Sequence, residues 1–341
     1  MSVPTKTLRV LSVPQHAHGQ RVDRFVLSQT HVPPALLFKH LRKKTIAQTT
    51  ADGKRRRLQG SDRVHSGMQI QIPGSLVTAQ GSSSTATAEV DAGHVQAFVR
   101  QTMPLLCETA GVAVFLKPAG LACQGGTRVG VSAAGLLAQV SAEYRLVHRL
   151  DRGTTGALVV ARSRAAAHVL AAAFARHSAA DGTAVDKTYY AVLLGHPAVR
   201  QGTIDTPLAN IGTHVRTATD ADTSSGGSAA KHALTEYRVV RRGTWQSRPI
   251  SLVELRIATG RKHQIRVHCA TALGCPVLGD AKYGSAEGSR ETKNMFLHLH
   301  RIRVPAVDEH GTCGKAPLSV TAPFPVFWHP VFRALDISLK G

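Results

Sequence analysis

The residues from His148 to Ala161 decide the fold and the chemistry of this chain, and they read HRLDRGTTGALVVA. Their single carboxylate, Asp151, follows Arg149 by two residues and directly precedes Arg152. Guanidinium groups nearby favour the ionised form of a carboxyl group, so Asp151 is a candidate reactive group. The apolar run that follows is typical of a buried strand. The stretch therefore predicts an ionised aspartate just before a β-strand, with a structural turn cap as the alternative.

This stretch resembles the signature motif of the RluA-type pseudouridine synthases, enzymes that isomerise uridine to pseudouridine within RNA. The resemblance implies that Asp151 is the catalytic aspartate, either a covalent nucleophile or a base that gives a glycal intermediate. Arg149 and Arg152 would bind the substrate, and Arg149 suits an enzyme that flips its target base; a plain salt bridge is the alternative. Two positions depart from the family pattern: Gly153 replaces the usual acid, and Thr155 the usual serine.

A second segment, Lys187–Ala191, resembles the family's K-x-Y-x-A strand, which supplies a tyrosine to the active site. Residue-by-residue matching selects Tyr189. The resemblance implies that its ring stacks on the uracil and that its hydroxyl helps to remove the C5 proton. Tyr190 points to the other side of the same strand and is expected to pack in the core.

A third segment, TGRKHQIRVH at 259–268, is followed by GCPVLGDAKYG at 274–284, and together they resemble the third family motif. The resemblance implies that Arg266 pairs with the catalytic Asp151. A guanidinium at that distance would keep the aspartate ionised. The motif therefore supplies the counterion that the first segment needs.

Three neighbours of Arg266 are candidate substrate-binding residues. Ile265 would form the apolar wall of the base pocket, and Arg261 and Lys262 would meet phosphates at the start of a helix predicted around 262–273. The implied reaction involves no redox step or hydrolysis, so no cofactor and no metal are expected. The five cysteines are scattered without a CxxC pair, which favours reduced thiols over a disulfide framework or a zinc site.

Basic residues outnumber acidic ones along the whole chain of 341 residues. There are 42 Lys and Arg against 21 Asp and Glu, a net charge of +21. Such an excess favours a polyanionic partner, and RNA fits because basic side chains neutralise phosphates and release counterions. No segment approaches the run of roughly 18 apolar residues that a membrane helix needs, so no membrane partner is expected.

Composition divides the chain into an amino-terminal extension with a strand (1–18), a small RNA-binding module (19–74), a linker (75–103) and a catalytic domain (104–335). The module resembles the RNA-binding domain named for the fourth ribosomal small-subunit protein. Two amphipathic helices followed by a hairpin would place six basic residues near one face, namely Arg21, Arg24, Lys39, Arg42, Lys43 and Lys44.

The cluster Lys54–Arg57 is predicted to lie in a polar turn of this module. A solvated charge run or a nuclear-import signal is the alternative interpretation of that cluster. Before Asp23 the chain has no acidic residue but carries Lys6, Arg9 and Arg21, the composition of an organellar presequence. A mitochondrial location is therefore expected, with the cytoplasm or nucleus as alternatives.

Short strand patterns recur through the second half of the chain without regular alternation with helices. They predict an α+β fold, a mainly antiparallel mixed β-sheet of the pseudouridine synthase type, preceded by the small α/β module. The predicted strands lie at 157–162, 187–195, 232–242, 250–260 and 295–305, and a helix is predicted from Ser163 to about His177.

The sequence favours an enzyme that isomerises specific uridines in structured RNA, ribosomal large-subunit RNA more than transfer RNA. Large-subunit assembly intermediates are expected partners, and the protein is otherwise expected to be a monomer. A second hypothesis is a ribosome assembly factor that binds RNA and retains the fold without needing catalysis. A third is a glycoside hydrolase or nucleosidase, which needs a second carboxylate, and Asp280 is the candidate.

Overall fold

The computed structural model describes residues 8–30, 37, 40–41, 43, 45–49, 55–76, 98–125, 131–176, 184–211, 214–219, 230–284, 292–314 and 316–337. These residues belong to two compact units. The first lies within Met1–Ala92 and Gln124–Gly135, and the second within Gly93–Cys123 and Leu136–Gly341. The boundaries expected at 18, 74 and 103 stay predictions.

The first unit is a four-stranded antiparallel sheet with a helix packed on one face. Its elements are β1 (Leu8–Ser12), α1 (Val22–Thr30), β2 (Ala47–Thr49), β3 (Arg55–Arg57) and β4 (Gln69–Pro73), with short 3-10 helices at Gln15–Ala17 and Gly74–Leu76. The strand order is β1-β4-β2-β3. Phe25 and Val26 of α1 join Ile70 and Ile72 of β4 in one buried cluster, because apolar residues alternate along β4 and recur along α1.

Two expectations for this unit differ from the structure or lie outside it. The prediction of a turn at the basic cluster is wrong, because Arg55–Arg57 form the edge strand β3. The backbone of β3 is hydrogen-bonded to β2 along its inner side. The second predicted helix falls largely outside the described residues; Leu37, His40 and Leu41 within it are helical. Lys39, Arg42, Lys44 and Lys54 also lie outside the described residues.

The second unit is built on a ten-stranded sheet. Its strands are β5 (Leu105–Glu108), β6 (Val112–Lys117), β7 (Arg145–Leu146), β8 (Thr155–Ala161), β9 (Asp186–Leu194), β10 (Gln201–Asp205), β13 (Leu234–Trp245), β14 (Arg248–Ile257), β15 (Leu297–Val304) and β16 (Leu318–Thr321), and β11 (Leu208–Ile211) and β12 (His214–Thr217) form a separate hairpin. The main order is β10-β13-β14-β9-β15-β8-β6-β5, with β16 on β15 and β7 on β8.

Helices are few among the described residues of this half of the chain. Residues 98–102 are helical, and the helices with defined bounds are α2 (Ala133–Val140), α3 (Arg164–Ala175), α4 (Gln264–Thr271) and α5 (His329–Ala334), with a 3-10 turn at Val326–Trp328. The Ser163 hydroxyl caps α3 by accepting from the Ala166 N–H at 3.0 Å. None of the helices in the described part of the chain combines the length and the apolarity needed to cross a bilayer.

The α+β prediction is confirmed, since among the described residues all strand pairs but one are antiparallel. The exception joins β15 to β8 in parallel, where His298 and Leu299 lie opposite Thr155 and Gly156. Every residue of β8 is buried, which explains its unbroken apolar run. The five strands and the helix expected in this half are all present, with ends shifted by a few residues.

Gly156 is the closest approach between β8 and β15. Its φ is +120°, and a Cβ placed there would lie 2.3 Å from the carbonyl oxygen of Leu299. We expect Gly156→Ala to lower the free energy of unfolding by about 3 kcal/mol, since backbone strain and a backbone clash combine. Gly274→Ala is the control, because Gly274 also has positive φ (+61°) but no atom within 4 Å. Urea denaturation that showed equal losses for both variants would contradict this reading of Gly156.

Candidate active site

Asp151 lies in the loop that leads into β8, and its partner comes from α4. Arg266 Nη1 donates to Asp151 Oδ2 at 2.9 Å across 115 intervening positions of sequence. Both side chains are largely shielded, with 11% of Arg266 and 16% of Asp151 exposed. A charge-assisted pair in such surroundings is stronger than one on the surface. The fold thus brings the first and third sequence segments together at one carboxylate.

A second carboxylate holds the other edge of the same guanidinium. Arg266 Nε and Nη2 donate to the two oxygens of Asp280, each at 2.7 Å. Asp280 is buried and also accepts the backbone N–H groups of Lys282 and Tyr283 at 2.9 and 3.2 Å. Burial raises the pKa of Asp280, but its bonds to Arg266 outweigh burial and hold the pKa below its usual value. The bidentate pair fixes the plane of the guanidinium that faces Asp151.

Gln264 anchors the start of α4 and so positions Arg266. Its side-chain carbonyl accepts from the Thr259 hydroxyl at 2.8 Å and from the Arg261 N–H at 3.0 Å. Its amide donates to the Leu234 carbonyl at 2.9 Å and to the Thr235 hydroxyl at 3.0 Å. A buried glutamine with both ends bonded ties the first turn of the helix to β13.

His263 directly precedes α4 and lies beside the pair. Its φ is +55°, and its Nε2 is 3.8 Å from Asp151 Oδ2. Burial lowers its pKa to about 4, so the ring is neutral near pH 7. The Tyr283 hydroxyl accepts from the Val215 N–H at 3.2 Å and lies 2.7 Å from His263 Nδ1. A Tyr283 hydroxyl bonded in this way can donate its proton to Nδ1, the arrangement that leaves the ring proton on Nε2, the nitrogen that faces Asp151.

Tyr189 lies on β9 and is buried, while its neighbour faces the other side. Burial raises the pKa of the Tyr189 hydroxyl, and the negative charge of Asp151 raises it further. Tyr190 packs edge-on against Phe324 and donates its hydroxyl to Glu254 at 3.0 Å. The alternation expected for this strand is therefore present.

Two side chains hold the backbone of the Asp151 loop in place. The Cys123 thiol donates to the Leu150 carbonyl at 3.3 Å and accepts the Leu150 N–H at 3.2 Å. His148 Nε2 accepts the Val159 N–H at 2.8 Å, and its ring stacks on Phe174 at 4.5 Å. Burial lowers the pKa of His148 to about 3, which keeps that nitrogen an acceptor.

Lys117 at the end of β6 also holds the backbone of the Asp151 loop. Its ammonium is fully buried and donates to the carbonyls of Pro118, Leu121 and Arg152 at 2.9, 2.8 and 3.3 Å. Burial lowers its pKa to about 8, although the charge of Asp151 acts in the opposite direction. A buried cation bonded to backbone carbonyls fixes the loop geometry next to the carboxylate.

The other predicted residues fall into separate places. Ile265 is buried in α4, and Arg261 is partly buried, with its Nε donating to the His232 carbonyl at 2.9 Å. Arg152 is exposed and donates to the Gly120 carbonyl at 2.9 Å. The exposed residues also include Arg149 and Lys262, and in the first unit Arg21, Arg24 and Lys43. Within the described residues, no group of three His, Cys, Asp or Glu side chains is arranged to hold a metal ion.

Gly153, where the family pattern has an acid, faces the side chain of Met295. A Cβ at this position would lie 3.2 Å from Met295 Cε and 3.3 Å from its Cβ. Met295 is itself 6% exposed. Glycine therefore lets a buried apolar side chain pack where a carboxylate would otherwise have to be accommodated.

Comparison with known proteins shows which family the chain belongs to. The family model described as RNA pseudouridylate synthase matches residues 111–271. The chain is 31% identical over 263 residues to pseudouridylate synthase RPUSD4, mitochondrial, of Xenopus tropicalis, which covers 65% of this chain and 76% of that protein. The chain belongs to the RNA pseudouridylate synthase family.

Further family members show how far the likeness extends. Ribosomal large subunit pseudouridine synthase C of Rickettsia conorii is 38% identical over 189 residues, covering 54% of this chain and 58% of that protein. This chain thus spans about three fifths of the length of that relative. The solved structure of human RNA pseudouridylate synthase domain containing 4 superposes with a TM-score of 0.55 at 23% identity, covering 74% of this chain and 100% of that chain, which shows the shared fold.

Three residues of this site have functions that the sequence does not predict. The sequence suggests Asp280 only as the second acid of a hydrolase, and it assigns no role to Lys117 or His263. A signal for Asp280 was present in its GDAKYG context, where a turn offers free N–H groups to a carboxylate. Nothing local marks Lys117 or His263, because their partners come from distant strands and loops.

Removing the charge of Asp280 tests whether the buried guanidinium of Arg266 needs this carboxylate as its partner. We expect Asp280→Asn to lower the free energy of unfolding by about 3 kcal/mol, because Arg266 stays buried with one partner weakened. The matched control is Asp336→Asn: Asp336 pairs with Arg241 at 3.4 Å but is fully exposed, so its loss is expected to have no measurable effect. Equal stability of the two variants in chemical denaturation would refute the idea that Asp280 holds the guanidinium of Arg266 in place.

Burial of Lys117 predicts a pH dependence of stability. With a folded pKa of about 8 against an ordinary value of 10.5, the unfolded chain binds the extra proton between these two values. Stability of the wild type should therefore rise from pH 8 to pH 10.5 relative to Lys117→Met, which has no such group. The measurement is the difference in free energy of unfolding between the two proteins at several pH values. A difference that stays constant or falls with pH would contradict the expectation.

Proposed function

We propose that this protein converts uridine to pseudouridine in RNA. One observation carries the proposal: Asp151 is bonded to Arg266, whose guanidinium is itself held by Asp280. Such a site holds an oriented and largely shielded anion, with the buried Tyr189 on the neighbouring strand β9 as the candidate aromatic ring. Its geometry suits a reaction that needs a fixed carboxylate, a stacking surface and exclusion of water.

The reaction rearranges a nucleoside without adding or losing atoms. The bond from ribose C1′ to uracil N1 breaks, the base turns over, and C1′ joins C5, whose proton is removed while N1 gains one. Asp151 would attack C1′ or take the proton of C2′, and both routes stay open. Tyr189 would hold the detached base by stacking, and its hydroxyl would help to remove the C5 proton.

The hydrolase hypothesis loses its second acid. Asp280 is ionised and bonded through both oxygens to Arg266, so it has no proton to donate to a leaving group. Glycoside hydrolysis needs a second carboxyl group that can act as acid or base. Isomerisation needs one ionised carboxylate with a counterion, and this arrangement supports it.

The proposal extends to the substrate and the location. The relative from Rickettsia conorii is named for the ribosomal large subunit, which supports large-subunit ribosomal RNA as the substrate and its assembly intermediates as the setting. The relative from Xenopus tropicalis is named mitochondrial, which supports that compartment. We further propose that residues 19–74 form an RNA-binding module, that 104–335 form the catalytic domain, and that the protein acts as a monomer on RNA.

Replacing Asp151 tests the proposed reaction. We expect Asp151→Asn to lower pseudouridine formation at least about 10³-fold, since the reactive group is lost. Nucleotide-resolution mapping of pseudouridine in cells without the protein, with the wild type and with the variant also identifies the substrate. Asp205→Asn is the control and should act like the wild type, because Asp205 is an exposed aspartate that pairs with His232. A folded Asp151→Asn protein that keeps every modified site would overturn the proposal.

A further inference from the structure

The four-stranded sheet of the first unit has one face that its core does not cover. Ile70 and Ile72 of β4 point into the buried cluster together with Leu11 of β1. Their neighbours Gln69 and Gln71 must point the opposite way, because successive side chains of a strand alternate. The face that carries Gln69 and Gln71 is called the outer face below.

Strand register places two rows of side chains on the outer face. Direct cross-strand partners share a face, so the first row is Ser12, Gln69, Thr49 and Arg55, and the second is Val10, Gln71, Ala47 and Arg57. Side-chain bonds agree with this placement. The Ser12 hydroxyl donates to Gln69 Oε1 at 3.0 Å, and Gln71 Nε2 donates to the Thr49 hydroxyl at 2.8 Å.

The outer face is mainly basic and polar, although its second row also contains Val10, which is half exposed, and Ala47, which is buried. Arg55 and Arg57 are exposed at one edge, and Gln69 and Ser12 are exposed across the middle and far edge. Neither row contains an acidic residue. Residues 1–74 carry 13 Lys and Arg against three Asp, so nearly half of the net charge of +21 belongs to about a fifth of the chain. A polyanion is the partner that such a surface attracts.

The two arginines have a spacing that suits adjacent phosphates. Alternate residues of a strand lie about 6.6 Å apart on one side, and the four strands span about 14 Å. Arg55 Nη2 donates to the Thr45 carbonyl at 3.2 Å, which holds one guanidinium at the sheet edge. Arg56 points to the opposite side of β3, in register with Gln48 and Ile70. Charge on this strand is therefore divided between two faces, and among the described residues the buried cluster packs against the face to which Arg56 belongs.

We propose that the outer face binds the sugar–phosphate backbone of RNA, with Arg55 and Arg57 on neighbouring phosphates. The glutamines and hydroxyls between them are hydrogen-bonding groups for ribose and phosphate oxygens. Neither row contains an aromatic ring on which a base can stack, so binding is independent of sequence. This inference rests on the proposed RNA substrate and assigns the contact to the sheet, away from the predicted helical face.

Single substitutions on β3 test the proposal in the full-length protein. We expect Arg55→Ala and Arg57→Ala each to make the dependence of log affinity on log salt shallower by about 0.7 to 0.9, and the double variant by about twice that. Arg56→Ala, with the same loss of charge in the same strand, is the matched control and should leave the slope unchanged. Binding is measured by fluorescence anisotropy with two RNA hairpins of unrelated sequence, which should respond alike.

A variant that leaves the arginines in place gives an independent test. Gln69→Glu adds a negative charge at the centre of the outer face and should weaken RNA binding at least about tenfold. Equal effects of all three arginine substitutions would show bulk charge rather than this face, and overturn the proposal. Aggregation of the arginine variants with unchanged RNA affinity would overturn the proposal too. The arginines would then only keep the edge strand β3 from pairing with strands of other molecules.

The two proposals fail separately. Asp151→Asn should bind both hairpins like the wild type, since it changes no residue of the outer face. The Arg55→Ala and Arg57→Ala double variant should still form pseudouridine at saturating RNA, with a raised KM and an unchanged kcat. Loss of kcat in that double variant would show that β3 acts on the catalytic step and would refute a role limited to backbone binding.

Discussion

The site depends on one guanidinium held between two carboxylates. Arg266 is bonded through Nε and Nη2 to Asp280 and through Nη1 to Asp151. The bidentate contact to Asp280, which is itself buried and bonded to backbone N–H groups, fixes the orientation of the Arg266 side chain. Asp151 accordingly meets a counterion whose position is set before any substrate binds. A preorganised charge of this kind requires no reorganisation during the reaction.

The remaining structure keeps the Asp151 loop in register with that arginine. β8 begins directly after the loop and lies between β6 and β15 in the sheet. The buried His298 ring of β15 lies 2.8 Å from the Thr155 hydroxyl at the start of β8 and 3.2 Å from the Ala322 carbonyl just after β16. Cys123 and Lys117 bond the loop backbone on its other side. Each of these groups is polar, buried and satisfied, which gives the loop a single low-energy arrangement.

The two units illustrate different limits of sequence interpretation. In the second unit, apolar alternation and runs predicted the strands of an antiparallel sheet, since burial follows a period of two. In the first unit, Arg55–Arg57 indicated a solvated turn, yet they form β3. Polarity marks exposure, and an edge strand can be as exposed as a turn. Only the pairing with Ala47–Thr49 distinguishes them, and that pairing is a property of the folded chain.

The sequence by itself determined the family, the α+β class and the choice of Asp151, Tyr189 and Arg266 as candidate site residues. These follow from short sequence motifs and from the periodicity of apolar residues. Tertiary structure decided which groups surround them. The bond of Asp280 to Arg266, the bond of Lys117 to the Arg152 carbonyl and the approach of His263 to Asp151 join residues 14, 35 and 112 positions apart. No local pattern encodes such contacts, because they arise only when strands and loops that are distant in sequence pack against each other.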